Sequence, residues 1–370
     1  MLKTTIFPSR YVQGAGALGT LDAELSRLGT RAACLVDRNV ASLLEPALAQ
    51  AAAGLPLQIR AVDAACTERA VADTADWIRS TQADVVVSFG GGKVIDTGRA
   101  AADDLRLPFA CVPTIAASDA PCSALAVIYD EAGRVVRDRF VRRNPDLVLL
   151  DTAVIVQAPA RFFIAGIGDA LATYYEAEAC KRAWARNLCG GRGTALAFEA
   201  AKLCRDMLFA HAPQAVEDCR AQLVTPDFDA TLEATVLLSG IGFESGGVAA
   251  AHAIHHGLAD LRSSHSLLHG EKVAVGVLAS LFLSTVPDDE RRRVFAFCRA
   301  VGLPTRLAQV NVDAADVAAL ETVAARACRA GEIIHNEPYP VEPAMVVAAL
   351  KAMNAYGARI GATPDTRGAA

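Results

Sequence analysis

Five of the seven histidines of this chain fall between Glu244 and Lys272, in ESGGVAAAHAIHHGLADLRSSHSLLHGEK. Imidazole nitrogens are the commonest side-chain ligands for zinc and iron, and His252 with His256, and His265 with His269, form two pairs at the helical spacing of four. The cluster therefore predicts a metal site. Spacing alone leaves the ligands unchosen, because His252, His255 and His256 stand three and four positions apart and share one helical face. The plainer role of a satisfied or solvent-facing imidazole stays open for each of them taken singly. No glutamate follows His252 or His265 where HExxH requires one, which excludes that metalloprotease pattern.

Two glycine-rich segments compete for a phosphate. GAGALG at 14–19 satisfies GxGxxG, and Asp37 lies 18 residues after its last glycine at the end of an apolar run, as a dinucleotide fingerprint asks. Pro8, Ser9 and Arg10 weaken that reading, because they stand where a buried first strand should be apolar. A turn leading into a helix over TLDAELSRLG is the plainer account. GGGKVIDTGRAAA at 90–102 follows the apolar run DVVVSF directly and opens a helix. Gly90, Gly91 and Gly92 let backbone amides approach a pyrophosphate without Cβ obstruction, the helix N-terminus adds partial positive charge, and Lys93 adds a full one. It is not a Walker A loop, since Val94 follows the lysine; a simple tight strand-to-helix turn is the alternative. Asp37 would then accept hydrogen bonds from the adenosine ribose at the end of its own strand.

The elements that must position these groups change character along the chain. Residues 1–158 alternate strand and helix, with strands predicted at 32–37, 57–62, 84–89, 108–113, 124–130 and 146–151. Several are unbroken apolar runs, which suit a parallel sheet covered on both faces. ALAVIYDEAGRVVRDRF, turning at Glu131, Ala132 and Gly133, reads as a hairpin added to that sheet. Residues 159–370 are Ala- and Leu-rich with helical period, and Pro159 with Gly166 and Gly168 marks the expected hinge. A cleft between two such halves is where a site is expected.

At 370 residues the chain exceeds the size at which one core keeps growing, so two domains are expected. Hydrophobic residues at 53% against 21% charged exclude a disordered chain. A net charge of -5, with no basic run interleaved with aromatics, points away from nucleic acid and toward small molecules. MLKTTIFPSR has no apolar signal region and Val273–Val286 is too short to span a bilayer, so no membrane and a cytoplasmic protein are expected. The ten cysteines show no CxxC spacing and read as reduced, mostly buried thiols.

Five segments, GGGKVIDT, PTIAASDAPCSALAVIYDE, GIGDALATYYEA, SGIGFESGGVAAAHAIHHGL and HGEKVAVG, together resemble the glycerol dehydrogenases of the iron-containing alcohol dehydrogenase superfamily, in order and in register from Asp37 to about Gly276. The resemblance implies an α/β N-terminal Rossmann-like domain and an all-α C-terminal domain, the dehydroquinate synthase-like or iron-containing alcohol dehydrogenase fold, with NAD and one divalent metal. By motif, the metal ligands would be Asp169, His252 and His269. Iron-dependent members carry a histidine four residues after that aspartate, where this chain has Thr173. Three protein ligands leave positions for water or for two substrate oxygens, the pattern of a catalytic zinc, so zinc is favoured over iron.

Asp119 in SDAPC matches the position that hydrogen-bonds the substrate hydroxyls, an N-cap or turn aspartate being the alternative. For the cofactor the resemblance points to Asp37, Gly91, Gly92, Lys93, Asp96, Thr114, Ser123, Leu125 and Tyr129. One departure stands nearby: the family usually has TIASTDAP, and here Ala117 and Ser118 replace the Ser-Thr pair, so one cofactor-facing hydroxyl is lost. The implied reaction is oxidation of glycerol, or a related 1,2-diol, by hydride transfer to NAD, with His256 read as a proton relay to solvent. An amino alcohol, hydroxy acid or aldehyde substrate is the same-fold alternative. A cyclase resembling dehydroquinate synthase is a further one, distinguished by the absence of net NADH. A non-catalytic metal-binding protein is argued against by the intact Asp169, His252, His269 and Asp119 set. The family also implies a homo-oligomer.

Overall fold

The computed structural model describes residues 2–362 and divides into two compact units. One comprises Ile6–Phe163 with Gln214–Ile241; the other gathers the N-terminal residues up to Thr5, Ile164–Pro213 and the chain from Gly242 onward. The division thus differs from a single cut after residue 158: a helical excursion groups with the strands, and the first few residues group with the helices.

The first unit is built on six parallel strands, β1 (Tyr11–Gly14), β2 (Ala32–Asp37), β3 (Leu57–Val62), β4 (Val85–Gly90), β5 (Phe109–Pro113) and β8 (Leu147–Asp151), in the order β1-β8-β5-β4-β2-β3. Strands β4, β5 and β8 are buried throughout, and β2 as far as Val36, which is why their sequences are unbroken apolar runs. Alternate residues Ala32, Cys34, Val36, Val85, Val87 and Phe89 pack on Leu21 and Leu25 of α1 (Leu21–Leu25) and Leu44 and Leu48 of α2 (Ala41–Gly54). Each such buried Val or Leu contributes roughly 1.5–3 kcal/mol. The opposite face meets α4 (Gly92–Leu105), whose Gly98 lies directly on Ser88, while α3 (Glu68–Thr81) starts on a Thr67 cap. The short α5 (Thr152–Ile155) follows β8.

The strand before GAGALG, β1, begins only at Tyr11, after Pro8, Ser9 and Arg10, and is a half-buried edge strand paired with β8. One expectation fails here. The hairpin β6 (Leu125–Tyr129) and β7 (Val135–Phe140) forms its own two-stranded antiparallel sheet instead of extending the main one. The Val127 amide of β6 donates to the Asp96 carboxylate at 3.0 Å, where a further strand would otherwise pair.

The helices that follow are α6 (Ala160–Ala183), α7 (Ala195–Arg220), α8 (Pro226–Glu233), α9 (Ser239–Gly246), α10 (Ala250–Ala259), α11 (His269–Ser280), α12 (Asp288–Val301), α13 (Val317–Ala327) and α14 (Pro343–Ala362). In the second unit, glycines set how closely they approach. A Cβ on Gly270 would collide with the Ala165 carbonyl, and one on Gly168 would fall 2.5 Å from the Gly270 oxygen, so α6 and α11 touch backbone to backbone. Between α9 and α10 the chain turns at Gly247, whose φ of +110° a side chain would strain. Among the described residues no single helix is long and apolar enough to cross a membrane.

Candidate active site

The contact between α6 and α11 brings Asp169 beside His269, the first residue of α11, with Nε2 3.0 Å from Asp169 Oδ1. The first turn of α10 adds His252, whose Nε2 lies 3.4 Å from the same oxygen. One ligand atom from each of Asp169, His252 and His269 can be chosen so that all lie within 4.8 Å of one another. Burial pushes the Asp169 carboxyl up, but His269 and His252 outweigh it and hold the carboxyl well below its ordinary value. For His252, burial disfavours the imidazolium, yet Glu176 and Asp169 raise it well above 6.5. Two imidazoles and a carboxylate converge here, and such a donor set fits a divalent cation with further coordination positions left over. Thr173, four residues beyond Asp169, is buried on the same helix.

Sequence spacing misjudged the histidine pairing. His265 is exposed and lies before α11 begins, so His265 and His269 form no helical pair. On α10, His256 turns to Glu332, with Nδ1 3.1 Å from Oε1, and Glu332 also pairs with Arg326. His255 is buried with its ring centroid 4.2 Å from that of His269 and its Nδ1 unpartnered. Burial, then His269, His256, Lys272 and His252, pushes it well below 6.5, which keeps it neutral.

Glu176, absent from the sequence reading, is the nearest support of the cluster. Its Oε2 is 2.5 Å from His252 Nδ1, and its Oε1 accepts from the Ala249 and His252 amides at 2.9 Å each. The available signal was its position seven residues after Asp169, two turns along the same helical face.

In the sheet-bearing unit, successive connections run one way from β2 to β3 and the other way from β4 to β5 and β8, so the order reverses between β2 and β4. Open α/β sheets bind ligands outside the carboxyl ends at such a point. The residues there are Asp37 and Gly90–Gly92. A Cβ on Gly90 would sit 3.0 Å from Asp37 Cβ and one on Gly91 2.9 Å from Ile115, while a Cβ on Gly92 would meet nothing within 4 Å. Gly91 caps α4 with no side chain, which leaves its amides to face that space. Asp37 accepts from the Asn39 amide and side chain through Oδ1 at 2.9 and 3.0 Å. The Lys93 ammonium stands 4.6 Å from the Tyr129 ring centroid, and the Thr114 amide donates to the Gly90 carbonyl at 3.1 Å.

Asp96 and Ser123 face inward. Asp96 pairs with the fully buried Arg99 at 2.7 Å and accepts from Val127; burial pushes it up to about 6 against the pull of Arg99. Ser123 Oγ donates within its own loop, to the Ala120 carbonyl at 3.2 Å. Arg99, another residue missed from sequence, also donates to the carbonyls of Leu125 and Ala120 and so holds the segment that carries Asp119 and Leu125. Asp119 is buried, with Ser239 Oγ donating to its Oδ2 at 2.6 Å. Ser239 follows a π-helical turn, Ala234–Leu238, and Gly240 next to it admits Cys122 where a Cβ would clash.

The rival glycine loop is already filled. The Gly16 and Leu18 amides of GAGALG donate to the two oxygens of buried Asp151, both at 3.0 Å, and Asp151 also accepts from Ala153. A protein carboxylate occupies the place a phosphate would take.

Comparison with known proteins agrees with this architecture. Residues 8–152 match the family model for iron-containing alcohol dehydrogenases. The chain is 47% identical to a glycerol dehydrogenase of Thermotoga maritima, over 96% of this chain and 98% of that protein. It is 37% identical to a glycolaldehyde reductase of Halobacterium salinarum, over 96% and 99%. A solved structure of a probable glycerol dehydrogenase from Sinorhizobium meliloti superposes with a TM-score of 0.90 at 37% identity, covering 96% of this chain and 99% of that one.

Proposed function

The chain belongs to the iron-containing alcohol dehydrogenase family, among its glycerol dehydrogenases, and from that premise we propose that it catalyses the NAD-linked, zinc-dependent oxidation of glycerol or a related 1,2-diol to the hydroxyketone. It is an oxidoreductase acting on CH–OH groups. The observation that carries the finer reading is the convergence of Asp169, His252 and His269. These three would hold the cation, which when bound acts as a Lewis acid that lowers the pKa of the substrate hydroxyl. With Thr173 in place of a fourth ligand, room remains for two vicinal oxygens, and this supports zinc and a diol.

The remaining roles follow from chemistry and placement. Gly91, Gly92 and Lys93 receive the pyrophosphate, and the Asp37 carboxylate accepts from ribose hydroxyls and repels a 2'-phosphate, favouring NAD over NADP. Thr114, Leu125 and Tyr129 bound the same space, while Asp96 and Ser123 act through the loop they hold. Asp119, steadied by Ser239, accepts from a substrate hydroxyl. His256, whose Nδ1 lies 3.1 Å from Glu332 Oε1, relays a proton to solvent. The exposed Trp184, Leu196 and Leu203 support assembly into a homo-oligomer.

Enzyme stripped by a chelator should form no NADH from glycerol and should regain the activity when zinc is restored. Stoichiometric zinc without glycerol oxidation would remove glycerol as the substrate. A second reading keeps the chemistry and changes the substrate to a small hydroxyaldehyde: a glycolaldehyde reductase is 37% identical, and Ala117 and Ser118 stand beside Asp119. The ranking of kcat/KM between the two substrates in the same assay separates them. The relatives reported above are oxidoreductases by name, which gives the cyclase reading no support.

A further inference from the structure

We propose that Glu176 is a positioning residue of the metal centre, fixing the tautomer and orientation of His252 while it holds the start of α10. The inference rests on the reading of Asp169, His252 and His269 as ligands.

A carboxylate only accepts hydrogen bonds, so at 2.5 Å from Glu176 Oε2 the Nδ1 of His252 must carry the hydrogen. Nε2 is then the nitrogen with a lone pair to give, and it is the one that faces Asp169. The same carboxylate satisfies two amides at the beginning of α10, those of Ala249 and His252, where Ala249 has no side chain able to cap. Glu337 takes the Ala250 amide at 3.2 Å. One side chain therefore sets both where α10 begins and which way its first-turn imidazole points. His269 lacks this support: its side chain is 43% exposed, and among the described residues no carboxylate meets its Nδ1.

Glu176→Gln separates the two duties. Its amide oxygen can still accept from Ala249 and His252, but its NH2 group would face Nδ1 and favour the tautomer with hydrogen on Nε2, which cannot ligate. Zinc affinity, measured by competition with a chromophoric chelator, should fall roughly 10–100-fold while the melting temperature of the metal-free protein stays near wild type. Glu176→Asp, which keeps an acceptor, should lose less affinity than Glu176→Gln. Wild-type affinity in Glu176→Gln would overturn the proposal. So would equal losses in both variants accompanied by a matching fall in metal-free stability, which would mark a structural role alone. A wild-type protein that binds no zinc would instead refute the metal reading beneath it.

Discussion

The two glycine loops of the sheet-bearing unit share a grammar and differ in what completes them. Each follows a parallel strand, yet GAGALG closes on Asp151 while over Gly92 a Cβ would meet nothing within 4 Å among the described residues. Glycine spacing describes the freedom of a backbone to approach an anion. It does not say whether that anion is a ligand or a neighbouring aspartate.

The largest effect should come from breaking the closed loop. Asp151→Ala would leave the amides of Gly16, Leu18 and Ala153 without their charged acceptor, a loss on the order of 4 kcal/mol measurable by denaturant unfolding. NAD affinity of the folded fraction should be unchanged; a loss of cofactor binding would mean that GAGALG is the nucleotide loop after all. Next comes the anchor of the open loop. Burial pushes Asp96 on α4 up to about 6, so the folded state binds the proton more tightly than the unfolded chain does. That contribution is complete below about pH 4 and is lost as pH rises through about 6, roughly 3 kcal/mol in all. Unfolding curves of wild type and Asp96→Asn should therefore converge or diverge across that window, and a constant difference would contradict the inward placement of Asp96. The smallest effect is the most specific. Gly92→Val would fill the space over the open loop and should weaken NAD binding by about tenfold, or ~1.4 kcal/mol, with little change in melting temperature. Unaltered binding would mean that the pyrophosphate lies elsewhere.

Much of the sheet was legible because buried parallel strands announce themselves as unbroken apolar runs. The predicted 32–37 is the observed β2 to the residue; 57–62 also coincides with β3, although that edge strand is half-exposed and carries Gln58 and Arg60. β1 was not legible, since a half-buried edge strand of four residues that begins only after Pro8, Ser9 and Arg10 leaves no apolar run. The histidine cluster was visible as composition, but His265 could not be dismissed until α11 was seen to start at His269. Glu176 and Arg99 escaped notice for a common reason. A single acidic or basic residue in an alanine-rich helix looks like surface, and only tertiary packing turns it inward to serve His252 or the 119–127 segment. Asp151 likewise shows its partner only when β1 and β8 lie side by side.

The meeting of Gly168 with Gly270 has a consequence for heat. Contacts made by side chains loosen as rotamers begin to interchange, whereas peptide groups in contact have no rotamers to populate. The spacing of the α6 and α11 backbones beside Asp169 and His269 is set by such a contact, so it should drift little with warming, while the turn after Gly246 and the exposed His269 ring take up the motion first.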